Sequence, residues 1–547
     1  MKKIIALVLS LVMTISVFGL MSVSAADDEA ELYEEGNPER LLIGSFEQMF
    51  NQAKGNASGT YIVKLVKDVD VPNTKLSHTG AATVVIDGNG HTMKSVYGNG
   101  WGSNFEVGNA DGTAYSVLTF RNVTIVNTAT AATTLGGIIG LWSGVVNVEN
   151  STIRTNMINV FINRTEQGTA NPHQINITNS TIISEGATAN GGLIYATAKN
   201  AADYHIKATN SIFISMGAGS QNMILMESNS NCTAEGSHIM EFVGCKMYFM
   251  GQAKVGILVL PTSGAAPASF IVKDSQIYHS FIYGNSQNHV IIKNAANSKA
   301  TIDLDNVDFY GGAYKGSAVT QNGWMIDLEA AGTHTNGITA IDYNQAGVNP
   351  ATAKVSETMY LPTMRDGAAV RIAGDTSGIR FTTDVAKAAV DYYAAKAGST
   401  GTVSYGTIVV LASELDKYGI NATNFAGTKT DTANYTAYID PVLLDTLGVN
   451  YLDIVADKGV VTNADNSITF RAAVKGFSEE DYGTELLAFS YAKIVDGENV
   501  SYYCSPVSPS DNPRSMKEVA TAALADTTVT FNTEQTAILK KYAGITE

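Results

Sequence analysis

Charge is what this sequence has least of: Asp, Glu, Lys and Arg make up 16% of 547 residues, against about a quarter in an ordinary soluble domain. Thr, Asn, Ser, Ala and 50 Gly fill the deficit, and the charge that remains is acidic, 51 Asp plus Glu against 35 Lys plus Arg, for a net −16. Such a surface repels nucleic acid rather than binding it. Cysteine is scarcer still. Cys232, Cys245 and Cys504 are an odd set with no metal-ligand spacing and are too few for a disulfide scaffold, which excludes zinc-finger and redox-motif readings. Gly-x-Ser-x-Gly, His-Glu-x-x-His and phosphate-loop signatures are missing. Past the first residues, no apolar run is long enough to span a bilayer.

The chain opens on Met1-Lys2-Lys3, is almost wholly apolar from Ile4 to Met21, and leaves through the small residues Val23-Ser24-Ala25. This reads as a signal peptide over 1–25 rather than a membrane anchor, because of the small-x-small exit. Leu361-Pro362-Thr363 matches the start of a cell-wall sorting signal, without the rest of that motif or an apolar tail. The expectation is a secreted protein, extracellular or cell-wall associated, with no membrane span after cleavage. Residues 26–40 follow as an acidic leader; Asp27 to Arg40 holds seven acids and one base, which predicts a solvated, flexible segment.

Ordered structure is expected from residue 41. Ser45 can cap a helix whose apolar residues Phe46, Met49, Phe50 and Ala53 share one face, with Gln48 closing a capping box and Gly55 as stop. A short amphipathic helix leading into strands suits a lid over the end of a sheet stack.

The period then carries the argument. Leu118-Thr-Phe-Arg-Asn122-Val-Thr-Ile125, Val146-Asn-Val-Glu-Asn150-Ser-Thr-Ile153, Ile175-Asn-Ile-Thr-Asn179-Ser-Thr-Ile182 and Ile206-Lys-Ala-Thr-Asn210-Ser-Ile-Phe213 are one pattern written four times. Weaker copies place Gly244, Asp274 and Asn306 at the Asn position, at intervals of 28, 29, 31, 34, 30 and 32 residues. Apolar residues flank each Asn at alternating positions, so the Asn marks a corner between two strands, where a left-handed backbone is tolerated. A third apolar stretch, such as Ile138-Ile139-Gly140-Leu141, precedes each next copy. Three strands per coil of about 30 residues predicts a right-handed parallel β-helix over 41–345.

An earlier coil reads Val84-Val85-Ile86-Asp87-Gly88-Asn89-Gly90-His91. With the repeat, it resembles the pectate-lyase-like β-helix superfamily, whose first coils often read Ile-Asp-Gly-Asn-Gly-His. That resemblance implies the fold. It does not choose an activity, because the superfamily contains polysaccharide lyases, glycoside hydrolases, adhesins and binding modules. A pectate lyase implies an Arg base with aspartate ligands; a polygalacturonase implies Asn-Thr-Asp, Asp-Asp, His-Gly and Arg-Ile-Lys blocks, and none of these occurs within the coils.

The pattern breaks at Gly347, Pro350 and Pro362, giving a linker over 346–362 and a smaller mixed α/β or α+β module over 363–547. One helix is expected from Pro513 with Asn512 as cap, through Ala525; another has Asn532 as cap, Gln535 three on, and Gly544 as stop. Gly378-Ile-Arg380-Phe381, Tyr405-Gly406-Thr407, Phe470-Arg471-Ala472 and Arg514-Ser515 with Glu518-Val519-Ala520 resemble an accessory module of secreted proteins from Gram-positive anaerobes, which implies a habitat and no chemistry.

Chemistry is therefore sought on the outside of the coils. Aligning the copies sets Arg121 over Glu149, Lys207 over Glu241 and Lys273 over Asp305, most simply as ion pairs. Asp303 and Asp305 on one strand suit an inverting hydrolase, with Glu241 two coils away, about 9 to 10 Å from Asp303. Alternatively Asp303, Asp305 and Asp308 hold Ca²⁺ for a lyase with Lys273 as base. The histidines His173, His205, His238, His279 and His289 are dispersed. Tyr248, Tyr278 and Tyr310, with Tyr283 and Tyr314 nearby, recur on three coils. Such a column either stacks upon itself to support the strands or offers sugar rings a flat strip. The favoured expectation is binding to, or display on, extracellular polysaccharide; the alternatives are a polysaccharide lyase or glycoside hydrolase, or a structural or adhesive surface protein.

Overall fold

A computed structural model describes residues 28–545 other than 99–101, 130–135, 157–158, 166–171, 186–191, 199–202, 217–222, 229–236, 251–254, 262–267, 283–289, 295–300, 312, 316–317, 321–325, 329–333, 336–359, 366, 373–375, 419–434, 458 and 508–513. The corners turn where the sequence places them. Asn122, Asn150, Asn179, Asn210 and Asp274 have φ of 52°, 48°, 49°, 49° and 49°, and Gly244 has 65°. Asn and Asp tolerate this left-handed region because their short polar side chains bond locally.

On either side of each corner the strands pair in parallel with their counterparts one repeat later, forming a β-solenoid of three ladders. In the first, Leu118, Val146, Ile175, Ile206, Met240 and Phe270 form one inward column. The second aligns Met93, Ile125, Ile153, Ile182, Phe213, Met247 and Ile277. Phe105, Ile139, Phe161, Ile194, Ile224 and Ile257 line the third. All these side chains are buried in one continuous core, and truncating any of the larger ones to Ala costs about 2–5 kcal/mol.

The helix Phe46–Lys54 closes one end of this core. Ser45 caps it, Gln48 completes the capping box, and Phe46, Met49, Phe50 and Ala53 are buried. Phe46 and Phe50 meet the edge of Phe105 at ring-centroid distances of 6.5 and 6.4 Å. The acidic leader departs from expectation: Ala30–Glu34 is a strand, antiparallel to Leu42–Gly44 and to Thr60–Leu65. Ala30 and Leu32 alternate into the core at 0% and 3% exposure, while the acids between and beyond them face outward. Two small apolar residues in phase suffice to anchor a strand along an otherwise open edge.

The C-terminal module carries two antiparallel sheets. One joins Thr363–Met364, Ala369–Val370, Gly378–Val385, Ile468–Lys475 and Val461–Thr462; the other joins Tyr451–Val455, Thr402–Leu411, Leu486–Asp496 and Asn499–Cys504. The helix Thr533–Ala543 is capped by Asn532 with Gln535 and stopped by Gly544, as the sequence predicts. Its neighbour starts later than expected, at Met516, with Ser515 as cap and Glu518 completing the box. The reason is Arg514, whose N–H and C=O both pair with Leu486 and hold it extended. Pro513 and Asn512 lie outside the described residues. Among the described residues no helix is long and apolar enough to cross a membrane.

Candidate functional site

The tyrosine column forms, and it is covered. Tyr248, Tyr278 and Tyr310 stack with centroids 4.6 and 4.4 Å apart, on the outer side of the second ladder. They are 0–1% exposed, because the C-terminal module packs on this face and draws Ile183, Ile214, Tyr248, Tyr278 and Tyr310 into its own core. Asp440, the N-cap of the helix Pro441–Leu447, accepts hydrogen bonds from the Tyr248 hydroxyl at 2.7 Å, the Tyr278 hydroxyl at 3.1 Å and the Leu443 N–H at 2.9 Å. Lys246 Nζ pairs with it at 3.2 Å. Burial, with Asp440 beside them, raises the Tyr248 and Tyr278 phenols well above their ordinary range. The column is thus an intramolecular seam and presents no strip to sugar, which corrects the carbohydrate-binding assignment of these three residues. Tyr283 lies outside the described residues.

The acidic patch is also only partly as read. Lys207 pairs with Glu241 at 3.1 Å as expected. Arg121 turns instead to Asp87 on the preceding coil, at 2.9 Å, although Glu149 stands beside it in register on the other side. Lys273 leans 3.8 Å from Asp303 rather than from its register partner Asp305, which its long flexible stem permits. Asp303 and Asp305 share the outer side of one strand, whereas Asp308 lies beyond the corner, opposite Gln276 on the second ladder. That corner separates the three carboxylates. Among the described residues no group of three His, Cys, Asp or Glu side chains is placed to hold a metal ion, which corrects the Ca²⁺ assignment. His173, His238 and His279 are buried, and His238 stacks on Tyr204 at 4.6 Å. Cys245 and Cys504 are buried free thiols.

A cluster missed in the sequence lies on the third ladder. On the outer side of Asn159–Thr165, Arg164 sits 5.3 Å from the Trp142 ring centroid, a cation–π contact. Register places Thr197 beside Arg164 and Tyr195 beside Ile162 on the next strand. One coil further, Glu227 follows Met226, the partner of Ala196. Trp142, Arg164, Thr197 and Glu227 therefore form one column across successive coils, with Tyr195 alongside. All five are partly buried. Burial raises the Glu227 carboxyl above its ordinary value, and the Tyr195 hydroxyl that bonds it offsets part of the rise. Tyr195 is raised chiefly by burial and by Glu227, against the opposing pull of Arg164. A carboxyl whose proton affinity is raised by burial, a phenol, a guanidinium and an indole face thus meet on a partly buried surface.

The third strands vary most in sequence and lack a corner Asn to align them, so this column has no visible period. The available signal is the set of polar or aromatic residues interrupting apolar runs, Arg164 in one, Tyr195 in the next, Glu227 in the third. No protein-family model and no curated protein matches the chain.

Proposed function

We propose that the protein is a secreted, right-handed parallel β-helix of the pectate-lyase-like kind, from a Gram-positive organism, that binds extracellular polysaccharide along its third ladder. The observation that carries this reading is the column of Trp142, Arg164, Thr197 and Glu227 with Tyr195 beside it. An indole face matches the C–H face of a sugar ring, and the hydroxyls, guanidinium and carboxyl supply donors and acceptors for sugar hydroxyls. Coils repeat at about 4.8 Å, close to one sugar unit along a chain. Rigid strands hold the groups in place, so little order is lost on binding. The test is retention on a panel of plant, microbial and host polysaccharides, with loss of retention expected in Trp142→Ala.

A second reading rests on Glu227 alone. A carboxyl that keeps its proton above the usual range suits a general acid, and with it the site would cleave the glycan it holds. New reducing or unsaturated ends that disappear in Glu227→Gln support cleavage; retention without new ends supports binding.

A further inference from the structure

We infer that a second sugar site, for short neutral oligosaccharides, lies at the capped end of the solenoid. A groove of about 650 Å³ opens there between the turn after the first strand and the first two corners. Tyr33, Lys64, Asp87, Asn89, Arg121 and Asn122 line it, and its size falls in the roughly 300–1,000 Å³ range of small-molecule sites. It belongs to the first ladder and its corners, whereas the Trp142 column belongs to the third, so the two sites share no residue.

The groove is built before any ligand arrives. Lys64, Asp87 and Arg121 stand in one register column on successive coils. Arg121 Nε donates to Asp87 Oδ2 at 2.9 Å, and Asp87 Oδ1 accepts the Asn89 N–H at 3.0 Å. Asn89 and Asn122 sit at corners with φ of 51° and 52°, and their amides are held there, Asn89 Nδ2 donating to the Leu65 carbonyl at 3.4 Å and Asn122 Nδ2 to Asp87 Oδ1 at 3.5 Å. Tyr33 is held at the edge by its hydroxyl bond to Glu31 Oε2 at 2.6 Å. Fixed donors and acceptors of this kind suit vicinal hydroxyls, which donate and accept at once.

The charge of the lining selects the class of sugar. Lys64 and Arg121 are matched by Asp87 and Glu34, so the groove has no excess of positive charge to attract an acidic polymer, and the whole chain carries −16. A neutral glycan faces no such penalty, and its binding should vary little with salt.

The test uses the full mature protein carrying Trp142→Ala, titrated with cello-, xylo-, manno- and maltotetraose and with tetragalacturonate at low and high salt. The expected result is binding of at least one neutral tetraose, at an affinity that changes less than twofold with salt and falls at least fivefold in both Arg121→Met and Tyr33→Ala. Thermal melts confirm folding, and Tyr33→Ala, on the antiparallel edge strand and outside the parallel column of Lys64, Asp87 and Arg121, serves should Arg121→Met fail to fold. Preference for tetragalacturonate, no binding of any neutral tetraose, or neutral binding unchanged in the folded variants overturns the inference. Loss of binding between wild type and Trp142→Ala reports on the third-ladder site alone, so failure of one site is distinguished from failure of the other.

Discussion

Tyr248 donates its hydroxyl to Asp440 Oδ1 at 2.7 Å, joining positions 192 residues apart. This bond ties the solenoid to the C-terminal module. Asp440 is fully buried and would be costly there alone, but it caps a helix and gathers two phenols and the Lys246 ammonium. The same arrangement explains why tyrosine occupies three successive coils: each ring packs on its neighbours while two hydroxyls reach a common acceptor.

Removing Asp440 should therefore loosen the seam. Asp440→Ala takes away the partner of a largely buried ammonium, two hydroxyls and one helix N-terminus, and an expected loss of about 3–5 kcal/mol follows. Equilibrium denaturation checks it; a loss below 1 kcal/mol contradicts the role assigned to Asp440.

Tyr278 offers a finer comparison. Tyr278→Phe keeps the stacked ring and loses one hydrogen bond, costing about 0.5–1.5 kcal/mol, whereas Tyr278→Ala opens a cavity beneath the module and costs about 3–5 kcal/mol. Chemical unfolding of the two variants should show this order, with polysaccharide retention by folded Tyr278→Phe unchanged.

The corners make a separate prediction. Asn179, at φ 49°, is replaced by Val only with backbone strain, so Asn179→Val should lose about 1–3 kcal/mol. Thr178→Val, exposed at the end of the strand that leads into this corner, should stay within about 0.5 kcal/mol of wild type. Equal losses would contradict the coil register.

Glu227 predicts a pH dependence. Its folded pKa is raised above the reference value of 4.5, so the folded protein binds the proton more tightly than the unfolded chain. The associated stability is complete below that reference value and is lost as pH rises through the higher folded value. Thermal melts of wild type against Glu227→Gln across this window should show the wild type losing stability relative to the variant as pH rises. Parallel pH profiles would contradict the assignment.

Much of the architecture is legible in the sequence because its causes are local. The Asn at each corner, the alternating apolar residues around it and the Ser45 and Asn532 caps each state their geometry within a few residues. The departures arise where the cause is distant. Ala30 and Leu32 look too few to order an acidic stretch until the strand Thr60–Leu65 is beside them. Arg514 looks available for a helix until it pairs with Leu486. The Tyr column reads correctly as a stack, yet its covering depends on Asp440, in a module whose docking no repeat announces. Trp142, Arg164, Tyr195 and Glu227 lie on four successive coils and become neighbours only through the register of the third ladder.

The most direct measurement of the central claim is calorimetric titration of an oligosaccharide, taken from whichever polysaccharide retains the protein, into wild type, Trp142→Ala and Tyr278→Phe. Loss of one ring stacked on a sugar is worth about 0.5–1.5 kcal/mol, so Trp142→Ala should bind about two- to tenfold more weakly, and Tyr278→Phe should bind as wild type. Equal affinity in Trp142→Ala and wild type, or a loss confined to Tyr278→Phe, would contradict glycan binding on the third ladder.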